Sequence, residues 1–214
     1  MNRRSAAILI SGSGTNLQAF IDSAANGDLD LDLAVVLCNK PDAAGLERAR
    51  RANIEVECLP HQDYPERELF DAAMVRVLDR YAPDLIVLAG FMRILTAIFV
   101  NRFSGRILNI HPSLLPRFPG LDTHQRAIDA CDKWHGSTVH FVTEELDGGP
   151  PIIQGRVPVM PDDSAATLAA RVLAVEHKIY PEAARLFGAG RICLRDGAAW
   201  LDGEQLREPI QFST

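Results

Sequence analysis

The chain has no apolar run near the roughly 20 residues that a membrane-spanning helix requires, no internal repeat and no low-complexity tract. Its opening MNRRS is followed by only five apolar residues before SGSG, too few for the core of a secretory signal. Cysteine is sparse. Cys38, Cys58, Cys131 and Cys193 lie far apart and form no Cys-x-x-Cys pair, the pattern of reduced thiols in a cytoplasmic protein. Positive charge is in deficit: 22 Lys and Arg against 28 Asp and Glu leave a formal net charge of −6. Without a basic footprint, nucleic acid is not an expected partner. The six histidines show no metal spacing such as His-Glu-x-x-His, so no bound metal is expected. What is present, 214 residues with 47% hydrophobic and 23% charged, suits one globular domain with a full core.

The periodicity alternates apolar runs with amphipathic segments. Strands are expected at 6–11, 31–39, 55–59, 85–91 and 106–111. Helices are expected between them at 15–26, 45–52, 65–82 and 94–103, with Pro65 in the first turn of the third and Pro83 ending it. Two longer strands should follow, in GSTVHFVTEEL and PPIIQGRVPV, then a long helix over about 164–188 and a small hairpin in ICLRDGAAWLDGEQL. The fold class is therefore α/β: a single-domain Rossmann-like sheet, mostly parallel, with helices on both faces and a C-terminal antiparallel extension. In such sheets ligands sit outside the carboxyl ends of the strands, so the loops after strands are the places to search.

Three stretches there carry chemistry. SGSGTN (11–16) follows the first strand, but a dinucleotide fingerprint fails because Leu17 takes the third glycine position and the second strand ends in Asn39–Lys40 without an acidic residue. What survives is a glycine turn opening a helix, which either favours a phosphate or is a tight turn capped by Asn or Thr. In RILNIHPSLLPRFPG (106–120), Asn109 and His111 are two apart and point the same way from a strand end. An amide beside an imidazole offers an oxyanion donor and a proton carrier, or else a hydrogen-bonded strand-end pair without a role. In EELDGGPPI, Asp147 precedes two glycines; it is either a turn residue or a carboxylate that keeps a neighbouring histidine protonated.

Together with NKPDAAGLERAR, APDLIVLAGFMRIL, GLDTH, VEHKIYP and AAWLDG, these stretches cover about residues 8–203, and the chain resembles the phosphoribosylglycinamide formyltransferase family. NIHPSLLP with a later DGGP is common to the wider formyltransferase group, while SGSGTN and AGFMRIL narrow the likeness to this branch. The resemblance implies direct transfer of a formyl group from 10-formyltetrahydrofolate, the co-substrate, to the amine of 5-phosphoribosylglycinamide in de novo purine biosynthesis. It implies neither a covalent enzyme intermediate nor a metal. Asn109, His111 and Asp147 match the catalytic trio. Gly14, Thr15 and Asn16 match the phosphate-binding stretch and Glu176 the ribose contact. Arg67 and the segment Met92, Arg93, Ile94 and Leu95 match the folate side, which Asn109 also borders. Residues 6–112 would form the nucleotide-binding half and 113–214 the folate-side and C-terminal half, with homodimerisation left open.

The sequence departs from the family at Asp122, where many relatives have histidine, and at Leu173, where some carry glutamine near the ribonucleotide; both concern the rim of the substrate site. The nearest alternative is a formyltetrahydrofolate hydrolase, which shares the trio but usually carries an N-terminal regulatory domain, whereas the first strand here begins near residue 6. An initiator-tRNA formyltransferase would need a further C-terminal domain and a basic surface. A non-catalytic nucleotide-binding module would leave the trio without a task.

Overall fold

The computed structural model describes residues 3–212. Its first half alternates strand and helix: β1 (Arg4–Ile10), α1 (Thr15–Ala25), β2 (Leu31–Cys38), α2 (Gly45–Arg51), β3 (Glu55–Cys58), α3 (Arg67–Tyr81), β4 (Leu85–Leu88), α4 (Ala97–Arg102) and β5 (Ile107–His111). Then come α5 (Thr123–Asp129), β6 (Trp134–Phe141), β7 (Pro151–Pro158), α6 (Ala165–Gly188), β8 (Ile192–Arg195), β9 (Ala198–Leu201), β10 (Glu204–Gln205) and β11 (Ile210–Phe212).

One eight-stranded sheet, ordered β11-β7-β6-β5-β4-β1-β2-β3, takes strands from both halves of the chain. The pairs from β3 to β5 are parallel, β6 runs antiparallel to β5 and to β7, and β11 lies parallel to β7 at the edge. Side chains of β1 alternate between two cores: Ala6, Ile8 and Ile10 enter one, Ala7 and Leu9 the other. A strand covered on both faces has no polar side to offer, hence the continuous apolar runs. α1, α2 and α6 supply the first core with Phe20, Leu46 and Ile179; α3 and α4 supply the second with Phe70, Met74 and Phe99. Tyr180 on α6 is wholly buried, meets the Phe20 ring edge-on at 5.2 Å and donates to the Leu88 and Leu108 carbonyls. An aromatic pair of this kind adds about 0.5–1.5 kcal/mol beyond burial, and the hydroxyl ties α6 to the ends of β4 and β5.

The separate three-stranded sheet β10-β9-β8 is antiparallel. α6 starts at Ser164 with a capping box to Thr167. Several expected boundaries move, among them β6, which stops at Phe141 and leaves the VTEEL end of its expected stretch outside the strand. α3 begins at Arg67 behind an extended Glu66, which leaves Pro65 outside the helix. β4 stops at Leu88, short of the expected 91, and Gly90 turns the chain at φ +73. α4 spans only Ala97–Arg102, so Ile94 and Leu95 are not helical. The short α5 and the edge strand β11 have no counterpart among the expected elements.

Candidate active site

Strand order reverses between β1 and β4, and the loops leaving these two strands part at their carboxyl ends to form a crevice. A cleft of about 320 Å³ lies there, lined by Ser11 to Asn16, Lys40, Ala89, Gly90 and Met92. Gly14 is the N-cap of α1, at φ +69, and no side chain caps the helix. The first-turn N–H groups therefore have neither Thr15 nor Asn16 as a capping partner, which rules out the capped turn as their explanation. Glycine is required at position 14 twice over. A Cβ there would lie 2.7 Å from Gly45 Cα, because Gly45 N–H donates to the Gly12 carbonyl and draws α2 against the turn.

Asn16 is buried and its Nδ2 donates to Glu176 Oε2 at 3.0 Å, while its Oδ1 has no partner. Ser137 Oγ donates to the other Glu176 oxygen at 3.0 Å and lies 2.8 Å from the His111 carbonyl. Burial pushes the Glu176 carboxyl up, against the bonds from Asn16 and Ser137. The expected phosphate and ribose residues thus meet across the two halves of the chain, and the expected folate segment 92–95 belongs to the first half.

β5 carries Asn109 and His111 at its carboxyl end, next to β4. Asp147, in the turn after β6, approaches His111 Nδ1 with Oδ2 at 3.5 Å and accepts from Gly120 N–H at 2.9 Å. His111 Nε2 lies 2.9 Å from the Phe118 carbonyl. Both ring nitrogens of His111 thus face oxygen atoms, the Asp147 carboxylate on one side and the Phe118 carbonyl on the other. The side chains of His111 and Asp147 are 7% and 8% exposed, so their pairing is little screened.

A family model described as formyl transferase matches residues 4–184. The phosphoribosylglycinamide formyltransferase of Escherichia coli strain K12 is 50% identical over 199 residues, covering 93% of this chain and 94% of that protein. The trifunctional purine biosynthetic protein adenosine-3 of Homo sapiens is 44% identical over 200 residues, 92% of this chain and 20% of that protein. The solved structure of the phosphoribosylglycinamide formyltransferase of Coxiella burnetii superposes with a TM-score of 0.94 at 45% identity, covering 99% of this chain and all of that one.

The chain belongs to the formyl transferase family. It is a folate-dependent formyltransferase of the branch that serves purine biosynthesis. Within that family frame, the structure adds residues that the motifs did not single out. His140, 2% exposed, lies with Nε2 3.1 Å from Asn109 Nδ2 and Nδ1 2.8 Å from the Phe141 carbonyl. The carbonyl can only accept, so it fixes the proton on Nδ1 and leaves Nε2 as acceptor. Asn109 must then turn its NH₂ toward His140, with one N–H to spare. Burial lowers the His140 pKa and keeps the ring neutral. Its signal was the strand alternation in STVHF, which brings it opposite Asn109 across β5 and β6. Lys40, which served above only to reject a dinucleotide, stands in the wall of the cleft.

On the expected folate side, Met92 is 71% and Ile94 55% exposed, and Met92 N–H donates to Ser11 Oγ at 2.8 Å. Arg93 stacks over Phe70 at 5.8 Å. Arg67 is exposed at the start of α3, well before this segment in the chain. Asp122 is the N-cap of α5 at φ +56 with an exposed side chain that makes no cap bond, and Leu173 is half-buried on α6. A larger cavity of about 780 Å³ lies between α1, α6 and β11; neither it nor the smaller cleft is lined by Asn109, His111 or Asp147.

Proposed function

We propose that the protein transfers the formyl group of 10-formyltetrahydrofolate to the primary amine of 5-phosphoribosylglycinamide. The amine nitrogen attacks the formyl carbon, a C–N bond forms, and the carbonyl electrons move onto oxygen. The spare Asn109 N–H and the His111 imidazolium stabilise that oxyanion. Collapse breaks the bond from carbon to the folate nitrogen, which takes up a proton as the former amine loses one; His111 is the carrier. Contact with the formyl oxygen exchanges the His111 bond to Phe118 for one to substrate. The phosphate lies at the start of α1 against Gly14, Thr15 and Asn16 with Lys40 nearby, and Glu176 holds the ribose. Arg67, Met92, Arg93, Ile94 and Leu95 border the folate. The four free thiols suit a cytoplasmic enzyme.

The observation that carries this reading is the Asn109 amide, locked by His140 on the strand end that also holds the His111–Asp147 pair. Incubation with 10-formyltetrahydrofolate, with and without the ribonucleotide, tests it. Formylated ribonucleotide should form stoichiometrically with tetrahydrofolate. Formate released at an equal rate without ribonucleotide would make the protein a hydrolase.

A further inference from the structure

Between β4 and α4 the chain crosses the crevice through residues 89–96, and two bonds hold this crossing. At the near end Met92 N–H donates to Ser11 Oγ. At the far end Asp71, on α3, accepts from both Thr96 N–H, at 2.6 Å, and Thr96 Oγ1–H, at 2.8 Å, through a single oxygen. Asp71 is 1% exposed and sits between Phe70 and Met74 of the second core, a place where an apolar residue is the default and a carboxylate is costly. Burial pushes its carboxyl up, and the two Thr96 bonds and Arg93 pull it back. Thr96 is also the N-cap of α4, yet its hydroxyl makes no cap bond and goes to Asp71 instead. A threonine at this position ordinarily caps its own helix, so the local helix rule is broken in favour of this tether. Between the anchors Leu95 packs on the second core and the Arg93 guanidinium lies over Phe70, while Met92 and Ile94 stand out from the surface. Side-chain packing therefore does little to set the backbone of 92–94, and the anchors do it.

We propose that Asp71 is a positioning residue for the formyl donor, holding residues 92–95 through Thr96 in the conformation that presents their backbone groups to the folate ring. The proposal rests on the reading that this segment borders the donor. Asp71 touches neither substrate and acts on one of them only, because its bonds reach the far end of the crossing and not the glycine turn.

The test uses the full-length protein, Asp71→Asn and Thr96→Val, with tetrahydrofolate and 5-phosphoribosylglycinamide each titrated calorimetrically. Loss of a charge-assisted anchor should weaken tetrahydrofolate about tenfold in Asp71→Asn and less in Thr96→Val, which keeps the backbone bond. Donor KM should rise in step, kcat should change less than about twofold, and ribonucleotide affinity should stay as it was. Equal loss of both ligands, or unchanged tetrahydrofolate affinity in both variants, overturns the proposal. If Asp71→Asn does not fold, Thr96→Val decides alone. A wild-type protein that binds no tetrahydrofolate overturns the donor reading and this proposal with it; a wild type that binds it no better than the variants overturns this proposal only.

Discussion

At the scale of residues, the site is a set of polar groups whose orientations are fixed by neighbours that cannot switch role. Asn109 is the clearest case. On the proposed mechanism Asn109→Ala removes an oxyanion donor, and such donors are worth about 10²–10³ in kcat, or ~2.7–4 kcal/mol. It also leaves His140 Nε2 buried and unpaired, so thermal stability should drop while the fold persists. Steady-state turnover and a melting curve check both, and near-normal turnover removes Asn109 from the chemistry. Asp147 permits a cleaner separation of charge from shape. It sits at φ +53, a conformation that asparagine also tolerates. Asp147→Asn thus keeps the turn and an oxygen for Gly120 N–H, and removes only the carboxylate facing His111. With both partners buried, kcat should fall on the order of a hundredfold, about 3 kcal/mol. A variant with ordinary kcat would reduce Asp147 to a turn residue.

Among elements, the strand-to-helix turn after β1 carries the sharpest expectation. Gly14→Ala puts a Cβ at φ +69 and into Gly45 Cα. The left-handed conformation alone costs about 1–3 kcal/mol, and relief of the clash must push α2 away from the turn. Ribonucleotide binding should weaken severalfold more than folate binding, measured by titrating each ligand; equal weakening would deny that the turn serves the phosphate. The crossing from β4 to α4 shows why element boundaries are less readable than element identities. β4 ends at Leu88 although the apolar run continues to Phe91, because Gly90 bends away, and α4 starts late because Thr96 is committed to Asp71. Neither α3 nor α4 announces that contact in its own periodicity.

For the whole molecule, pH couples the site's surroundings to folding. His135 is 1% exposed, lies 3.1 Å from His124, and burial lowers its pKa to about 4 from 6.5. Between those values the unfolded chain takes up a proton that the folded chain refuses, so stability falls as pH drops from about 6.5 toward 4. By pH 5 the loss from this one ring is roughly 2 kcal/mol. Glu176, raised by burial, acts in the opposite sense, since it favours the folded state less once its unfolded counterpart ionises. Comparing urea midpoints of the wild type and His135→Gln at pH 7 and pH 5 isolates the histidine: the variant's change should be the smaller. Parallel changes would mean that His135 titrates alike in both states.

The sheet-and-helix alternation is legible in the chain alone, because strands buried on both faces must be apolar throughout and their helices must show one apolar stripe. Also legible there is that Asn109 and His111 share a strand end, since side chains alternate with period two. What the tertiary structure alone decided are the partnerships between distant segments. Glu176 meets Asn16 across 160 positions of chain, His140 locks Asn109 across an antiparallel pair, and Asp71 anchors Thr96 from another helix. Such pairs leave no local period to read, because a hydrogen bond depends on where two chains are brought together and not on what precedes or follows either residue. β11 joined the sheet for the same reason: an edge strand of three residues forms only because β7 offers it a row of unpaired backbone groups.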